Sequence, residues 1–307
     1  MNVLIVGGGG TIGSATAAYL AWKQVVDTIY ILDVNQNMAE SHVMDLSQAA
    51  FSCSRTRIKV GAWSDLADCQ MMIVAVGLSA SVATHDYCKD MASLMPVISE
   101  ISDALHRYNP HIPVLSMTNP LDAFNYTLYH TANLPAKQFL ALSQNDTLRF
   151  QWALAPHLGC SPDQIECYVV GEHGPGKLPL FSTISVGGKK KQLSSAEQQE
   201  VLSEMSVWWK HFLEVSGVRT AGWTSGAAAA QVVEAVAGLR NAPIACSVIL
   251  DDEQGFSMGW PVYLDLSGVQ EALPLSLTAD ESRQLELIKS KLKETQSQIL
   301  TYLSSIS

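Results

Sequence analysis

Positive charge is scarce in this chain: 19 Lys and Arg stand against 29 Asp and Glu over 307 residues, a net charge of −10. Binding a nucleic-acid backbone draws on clustered cations that release counterions, so no nucleic-acid partner is expected. The one basic run, Lys189 to Lys191, follows "ISVGG" and reads as a solvated turn between two strands. Long uncharged apolar runs are also missing. The richest stretch, "GAAAAQVVEAVAGL", is interrupted by Gln231 and Glu234 and reads as a buried helix, so no membrane partner is expected. The six cysteines (53, 69, 88, 160, 167 and 246) form neither a CxxC pair nor a metal-ligand spacing. No metal is expected, and scattered thiols suit a reducing compartment. The opening "MNVLIVGGGG" has no positive leader and no cleavage site, so the expected setting is cytoplasmic. With 48% hydrophobic and 16% charged residues the chain is not of a disordered type. Its length fits two domains or one large α/β domain.

What is present starts at the N-terminus. "NVLIVG" is a β-branched run that stops at glycines, and "TIGSATAAYLAWKQ" has helical periodicity. Between them lies Gly8-Gly9-Gly10-Thr11-Ile12-Gly13, a GxGxxG. In a strand-to-helix turn Gly8 permits the tight turn, Gly10 lets backbone approach a pyrophosphate, and Gly13 packs helix on strand; the helix N-terminus then receives the phosphate charge. A second strand, "TIYILD", ends in Asp33, 20 residues past Gly13. A carboxylate there accepts from both ribose hydroxyls and repels a 2′-phosphate, which favours NAD over NADP.

Further strands at βα spacing are expected over 57–62, 71–76, 113–118 and 139–143. A crossover helix over 91–109 places Leu94, Val97, Ile98, Ile101 and Leu105 on one face. The fold class is α/β, with a doubly wound parallel sheet. Residues at the carboxyl ends of its strands face the ligand crevice, so Val76, Gly77, Thr118 and Asn119 join Gly8, Gly10, Thr11, Ile12, Gly13 and Asp33 as candidate cofactor contacts.

After the last of these strands, helical spacing sets Asp146 and Arg149 one turn apart, a pair that on an exposed helix contributes little. The stretch "VVGEHGPGK" then sets His173, with Glu172 beside it, between glycines. "NDTLRF" followed by "GEHG", 27 residues from Asp146 to His173, resembles the lactate and malate dehydrogenase family. "VMDLSQA" at 43–49, "SMTNPLDAF", "FSTISVGGK" and "AGWTSGAAA" from 221 are similar to further parts of that family.

The resemblance implies a Rossmann NAD-binding domain over 1–145, an α/β catalytic domain over 146–307, a small-molecule substrate, and a homodimer or homotetramer. It makes His173 the proton donor and acceptor, with Asp146 fixing its tautomer. Arg149 becomes a planar fork for a substrate carboxylate, and Asn119 orients the nicotinamide ribose or the carbonyl. Thr224 and Ser225 fall on the pocket wall or cap a helix.

The chain departs from the family in "VGLSASVATHDYCKD", where the family carries arginines. Aligned without gaps, the specificity position is Ala80 and the carbonyl-polarising position is Asp86. Three accounts stay open: His85 or Lys89 replaces the arginine; the substrate is cationic or an imine, which suits Asp86; or NAD is bound with little turnover. With both arginines missing, neither malate nor lactate is the expected substrate. Lys177 is a further candidate cation that reads as solvated, while Trp208 and Trp209 read as a core or subunit contact. A Ser194–Glu197 capping box opens one helix, and Leu285, Ile288, Leu292, Ile299 and Leu303 stripe another.

Overall fold

A computed structural model describes residues 1–78, 84, 86–216, 220–250 and 255–306. Six short strands, β1 (Asn2–Val6), β2 (Thr28–Leu32), β3 (Arg57–Val60), β4 (Met71–Val74), β5 (Val114–Ser116) and β6 (Phe139–Ala141), pair in parallel in the order β3-β2-β1-β4-β5-β6. β1 and β4 are apolar at nearly every position because helices cover both faces of the sheet. The strands stop one to two residues short of the expected ends, where the chain leaves the ladder for the crevice.

The covering helices are α1 (Thr11–Trp22), α2 (Gln36–Phe51), α3 (Tyr87–Tyr108) and α4 (Leu121–Ala132). The expected crossover helix is α3, which starts earlier than predicted, at Tyr87. Its Leu94, Ile98, Ile101 and Leu105 are buried against β4, β5 and α4 neighbours, and Val97 packs at the edge of the same cluster.

The second half runs α5 (Gln144–Leu158), β7 (Ile165–Gly171), β8 (Lys177–Val186), β9 (Lys189–Lys190), α6 (Ser195–Ser216), α7 (Gly222–Val236), β10 (Ile244–Leu250), β11 (Phe256–Asp265), β12 (Gly268–Ala272) and α8 (Ala279–Ile306). β10 pairs antiparallel with β6, so the sheet continues as β6-β10-β11-β7-β8-β9, with β12 on β11. The lysine run is not the turn: Gly187 and Gly188, both at positive φ, make it, and Lys189 and Lys190 form the exposed return strand β9.

α7 brings the second half to the first. A Cβ on Gly222 would lie 2.9 Å from Thr11 Cγ2, and one on Gly226 would lie 2.9 Å from the Ala15 carbonyl. Only glycine allows so close a crossing of α7 over α1. Below it Val3, Ile5 and Ala17 share one core with Val233, Ile244 and Val248. The C-terminal stripe holds, with Leu285, Leu292, Ile299 and Leu303 buried on α8. Each such burial contributes about 1.5–3 kcal/mol. Among the described residues no helix is long and apolar enough to cross a membrane.

Candidate active site

The β1–α1 turn is built differently from its sequence reading in one respect. Gly7, not Gly8, takes the left-handed conformation (φ +79°), and a Cβ there would sit 2.7 Å from the Ala75 carbonyl oxygen. Gly8 instead backs onto β2, where a Cβ would meet Ile31 Cγ2 at 2.7 Å. Gly13 packs helix on strand as expected: its Cβ would fall 2.4 Å from the Gly7 carbonyl oxygen.

Gly10 stands apart. It is the N-cap of α1 and has no side chain to satisfy the helix, whose first turn, starting at Thr11 and Ile12, carries no acidic residue. A Cβ at Gly10 would approach only the Gly7 carbonyl, at 3.4 Å, and one at Gly77 would meet nothing. Unfilled space in front of free helix N–H groups is what a pyrophosphate requires.

Asp33 is aimed by backbone. Its Oδ2 accepts from the Gly9 N–H at 3.0 Å and its Oδ1 from the Asn35 N–H at 2.9 Å. Gly9 was not singled out in the sequence, yet a Cβ there would lie 2.9 Å from Asp33 Oδ2 and displace the carboxylate. Thr118 Oγ1 donates to the Val76 carbonyl at 2.8 Å, tying together the ends of β5 and β4, and exposed Asn119 precedes a cis bond to Pro120. These residues fit NAD, with Gly10 and the start of α1 at the pyrophosphate and Asp33 at the ribose.

The second cluster is centred on Asp146, in the first turn of α5 and only 2% exposed at its side chain. His173 Nδ1 lies 2.6 Å from Asp146 Oδ2. Oδ1 accepts from Arg149 Nη1 at 3.2 Å and from Lys177 Nζ at 3.3 Å. Burial by itself would raise the pKa of this carboxyl, but His173, Lys177 and Arg149 outweigh it and hold the group well below the ordinary carboxylate range. A carboxylate on Nδ1 fixes the tautomer and leaves Nε2 as the atom that exchanges a proton.

His173 is also held by its backbone: its N–H donates to Asp122 Oδ2 at 2.7 Å, and Ser247 Oγ donates to the other oxygen. Burial pushes the Asp122 carboxyl up to about 6 against the lowering effect of those two hydrogen bonds. Glu172 pins the loop, accepting from Tyr87 Oη at 3.2 Å and from the Gly176 N–H at 3.0 Å. Gly171 (φ +92°) lets the loop close, since a Cβ there would be 2.5 Å from the Gly176 carbonyl.

Three sequence readings change here. The Asp146–Arg149 pair is not a surface pair, with the Arg149 side chain 17% exposed. Of the two readings of Trp208 and Trp209, core or subunit contact, the first does not hold: their rings lie 5.7 and 5.4 Å from the guanidinium carbon of Arg149 and stack on Phe212, with Trp209 exposed. Lys177 is not merely solvated, because its ammonium shares Asp146 with Arg149. Beside Arg149 lies a cavity of about 310 Å³ lined by Leu148, Arg149, Trp152, Met205, Trp208 and Thr224. Thr224 is therefore on a pocket wall. Ser225 does not line this cavity, and it does not cap the helix either: its Oγ donates back to the Ala221 carbonyl at 3.0 Å.

The structure also gives Asp86 a different job from substrate contact. It is the N-cap of α3, accepting from the N–H groups of Cys88 and Lys89 and pairing with Lys89 Nζ at 3.3 Å. The Lys89 backbone and side-chain bonds, set against slight desolvation, hold its carboxyl below the ordinary range. Aspartate before a helix is among the strongest caps, and the local pattern outranks the gapless alignment. Ala80 and His85 lie outside the described residues. Asp122 was missed although it stands in the quoted "NPLDAF".

Comparison with known proteins follows the same division. The model of the lactate/malate dehydrogenase NAD-binding domain matches residues 1–141, and that of the lactate/malate dehydrogenase alpha/beta C-terminal domain matches 144–302. A malate dehydrogenase of Halobacterium salinarum is 26% identical over 95% of this chain and 97% of its own. L-lactate dehydrogenase 1 of Bacillus cereus is 27% identical over 98% and 99%. In fold, the chain is similar to the malate dehydrogenase of Picrophilus torridus (TM-score 0.89, 20% identity, 100% of this chain and 99% of that one). It is also similar to the minor L-lactate dehydrogenase of Enterococcus mundtii (TM-score 0.88, 22% identity, 97% and 98%). The chain belongs to the lactate/malate dehydrogenase family, NAD-dependent oxidoreductases that act on CH–OH groups.

Proposed function

We propose that the chain catalyses reversible hydride transfer between NAD and C2 of a 2-hydroxy or 2-oxo acid, and that neither malate nor lactate is its physiological substrate. The observation that carries the first part is the 2.6 Å contact of His173 with buried Asp146, with Arg149 on the same carboxylate. NAD, when bound, supplies the hydride acceptor. During oxidation His173 Nε2 takes the hydroxyl proton, and Asp146 stabilises the imidazolium.

Arg149 supplies the carboxylate site. Its Nε is buried without a hydrogen-bond partner among the described residues, and a carboxylate bridging Nε and Nη2 would satisfy it. The second part rests on the loop, since residues 77–90 contain no arginine and Lys89 is paired with Asp86. Among the described residues of that stretch a distal carboxylate has no unpaired cation to neutralise it. The cofactor half of this proposal runs to residue 145 and the substrate half from 146.

Purified protein with NADH against a panel of 2-oxo acids, neutral ketones and cyclic imines tests the reading. NADH oxidation by imines or ketones alone would overturn it. We propose also a cytoplasmic homodimer or homotetramer, supported by six unpaired cysteines and by exposed Trp22, Met38, Met44 and Phe51. Light scattering that finds a monomer would refute the assembly.

A further inference from the structure

We infer that the substrate carries a bulky apolar side chain, of aromatic size, which fills the cavity between α5, α6 and α7 while its carboxylate sits on Arg149. This rests on the 2-oxo-acid reading above and specifies the acid. Arg149 is the shared element: its guanidinium is the carboxylate fork and also one wall of the cavity. A substrate anchored there has the cavity within reach of its next carbons.

The remaining walls define what those carbons are. Leu148, Trp152, Met205 and Trp208 are apolar, and Thr224 adds one hydroxyl. No carboxylate and no second cation lines the space among the described residues, so a charged side chain would find no partner on its walls beyond Arg149. The volume, about 310 Å³, is roughly ten times the share of one water in the liquid. A methyl group would leave most of it holding water against Leu148, Met205 and the Trp208 face. A phenyl or isobutyl group displaces that water and meets a polarisable thioether and an aromatic ring, both of which suit a ring edge.

The Trp208–Trp209–Phe212 stack backs the wall. Trp208 and Trp209 lie on the guanidinium, with ring separations of 5.3 and 5.8 Å to Phe212. The fork and the apolar wall are thus adjacent. One methylene in a complementary apolar pocket changes kcat/KM by roughly ten- to two-hundredfold. A ring in place of a methyl is expected to give at least about a hundredfold.

The test is kcat/KM with NADH for pyruvate, oxaloacetate, 4-methyl-2-oxopentanoate and phenylpyruvate, on the full chain. Phenylpyruvate is expected to exceed pyruvate by at least about a hundredfold. Met205→Trp, which fills the cavity away from the arginine stack, is expected to lower the phenylpyruvate-to-pyruvate ratio at least about tenfold. Pyruvate within threefold of phenylpyruvate, or a ratio unmoved by Met205→Trp, would overturn the inference and leave the 2-oxo-acid reading standing. Turnover of no 2-oxo acid would overturn that reading instead. Tryptophan fluorescence titration of the NADH-bound protein with phenyllactate and lactate, a pair that cannot react, then decides the pocket alone: a preference for phenyllactate of at least about tenfold upholds it, and equal affinity refutes it.

Discussion

Replacing Asp122 by Asn isolates the cost of the buried carboxylate that holds the catalytic loop. Asp122 is 4% exposed, accepts the His173 N–H, and has a carboxyl pushed up to about 6 by burial. An unfolded aspartate titrates near ~3.9. A raised carboxyl pKa means that the stability it confers is fully present below about 4 and is lost as pH rises through about 6. The full loss is on the order of 3 kcal/mol, of which about 1 kcal/mol falls between pH 5 and 7.5. Asn keeps an oxygen for the His173 N–H and an amide for Ser247, and it does not titrate.

The assay is urea unfolding of wild type and Asp122→Asn at pH 5, 6, 7 and 7.5. Taking the difference between the two proteins cancels Asp146, whose depressed pKa acts in the opposite direction at low pH in both. The difference in unfolding free energy should grow with pH in favour of Asn by about 1 kcal/mol over this window. A difference independent of pH would refute the reasoning, for it would mean that Asp122 ionises without penalty where it sits.

Other outcomes follow from the same contacts. NADH should bind at least about tenfold tighter than NADPH, and Asp33→Ala should narrow that gap in a fluorescence titration, because it removes both the ribose bonds and the repulsion of a 2′-phosphate. His173→Ala should lower kcat by at least about two orders of magnitude while the NADH Kd stays within a few-fold; near-normal turnover would take the histidine out of the chemistry. Asp86→Ala should lower the urea midpoint through the lost α3 cap and leave turnover within about twofold, whereas a large loss of turnover would restore Asp86 to the site.

What was legible in the sequence was what local geometry fixes. Strand, glycine turn, helix and Asp33 lie within one βαβ unit, where spacing alone constrains them. The error of one glycine has a plain cause: four glycines in a row, Gly7 to Gly10, offer two registers, and only contact with Ala75, at the end of the neighbouring strand β4 and far away in sequence, decides between them. Asp122 and Lys177 were not legible as site members, because their contacts span 51 and 31 residues. Lys177 reaches Asp146 only because the β7–β8 hairpin sets it opposite Gly171, two residues from His173. No periodicity marks that. Ser225 failed for the opposite reason, since a hydroxyl in a helix can bond its own backbone and the sequence does not say which partner prevails.

The missing arginine then takes on a different meaning. Of the cations weighed against it, Lys89 is neutralised by Asp86 on the surface. Lys177 stands on the same carboxylate oxygen as Arg149. Around Asp146 itself Arg149 and Lys177 set two positive charges against its one, in a protein of net charge −10, while the Asp122 and Glu172 carboxyls bond the backbone of the His173 loop. A cationic or iminium substrate would meet like charge there, in a setting that screens it poorly. An anion would be drawn in. The scarcity of positive charge across the chain and its concentration around one buried aspartate thus point the same way, toward a carboxylate substrate whose remaining atoms are uncharged.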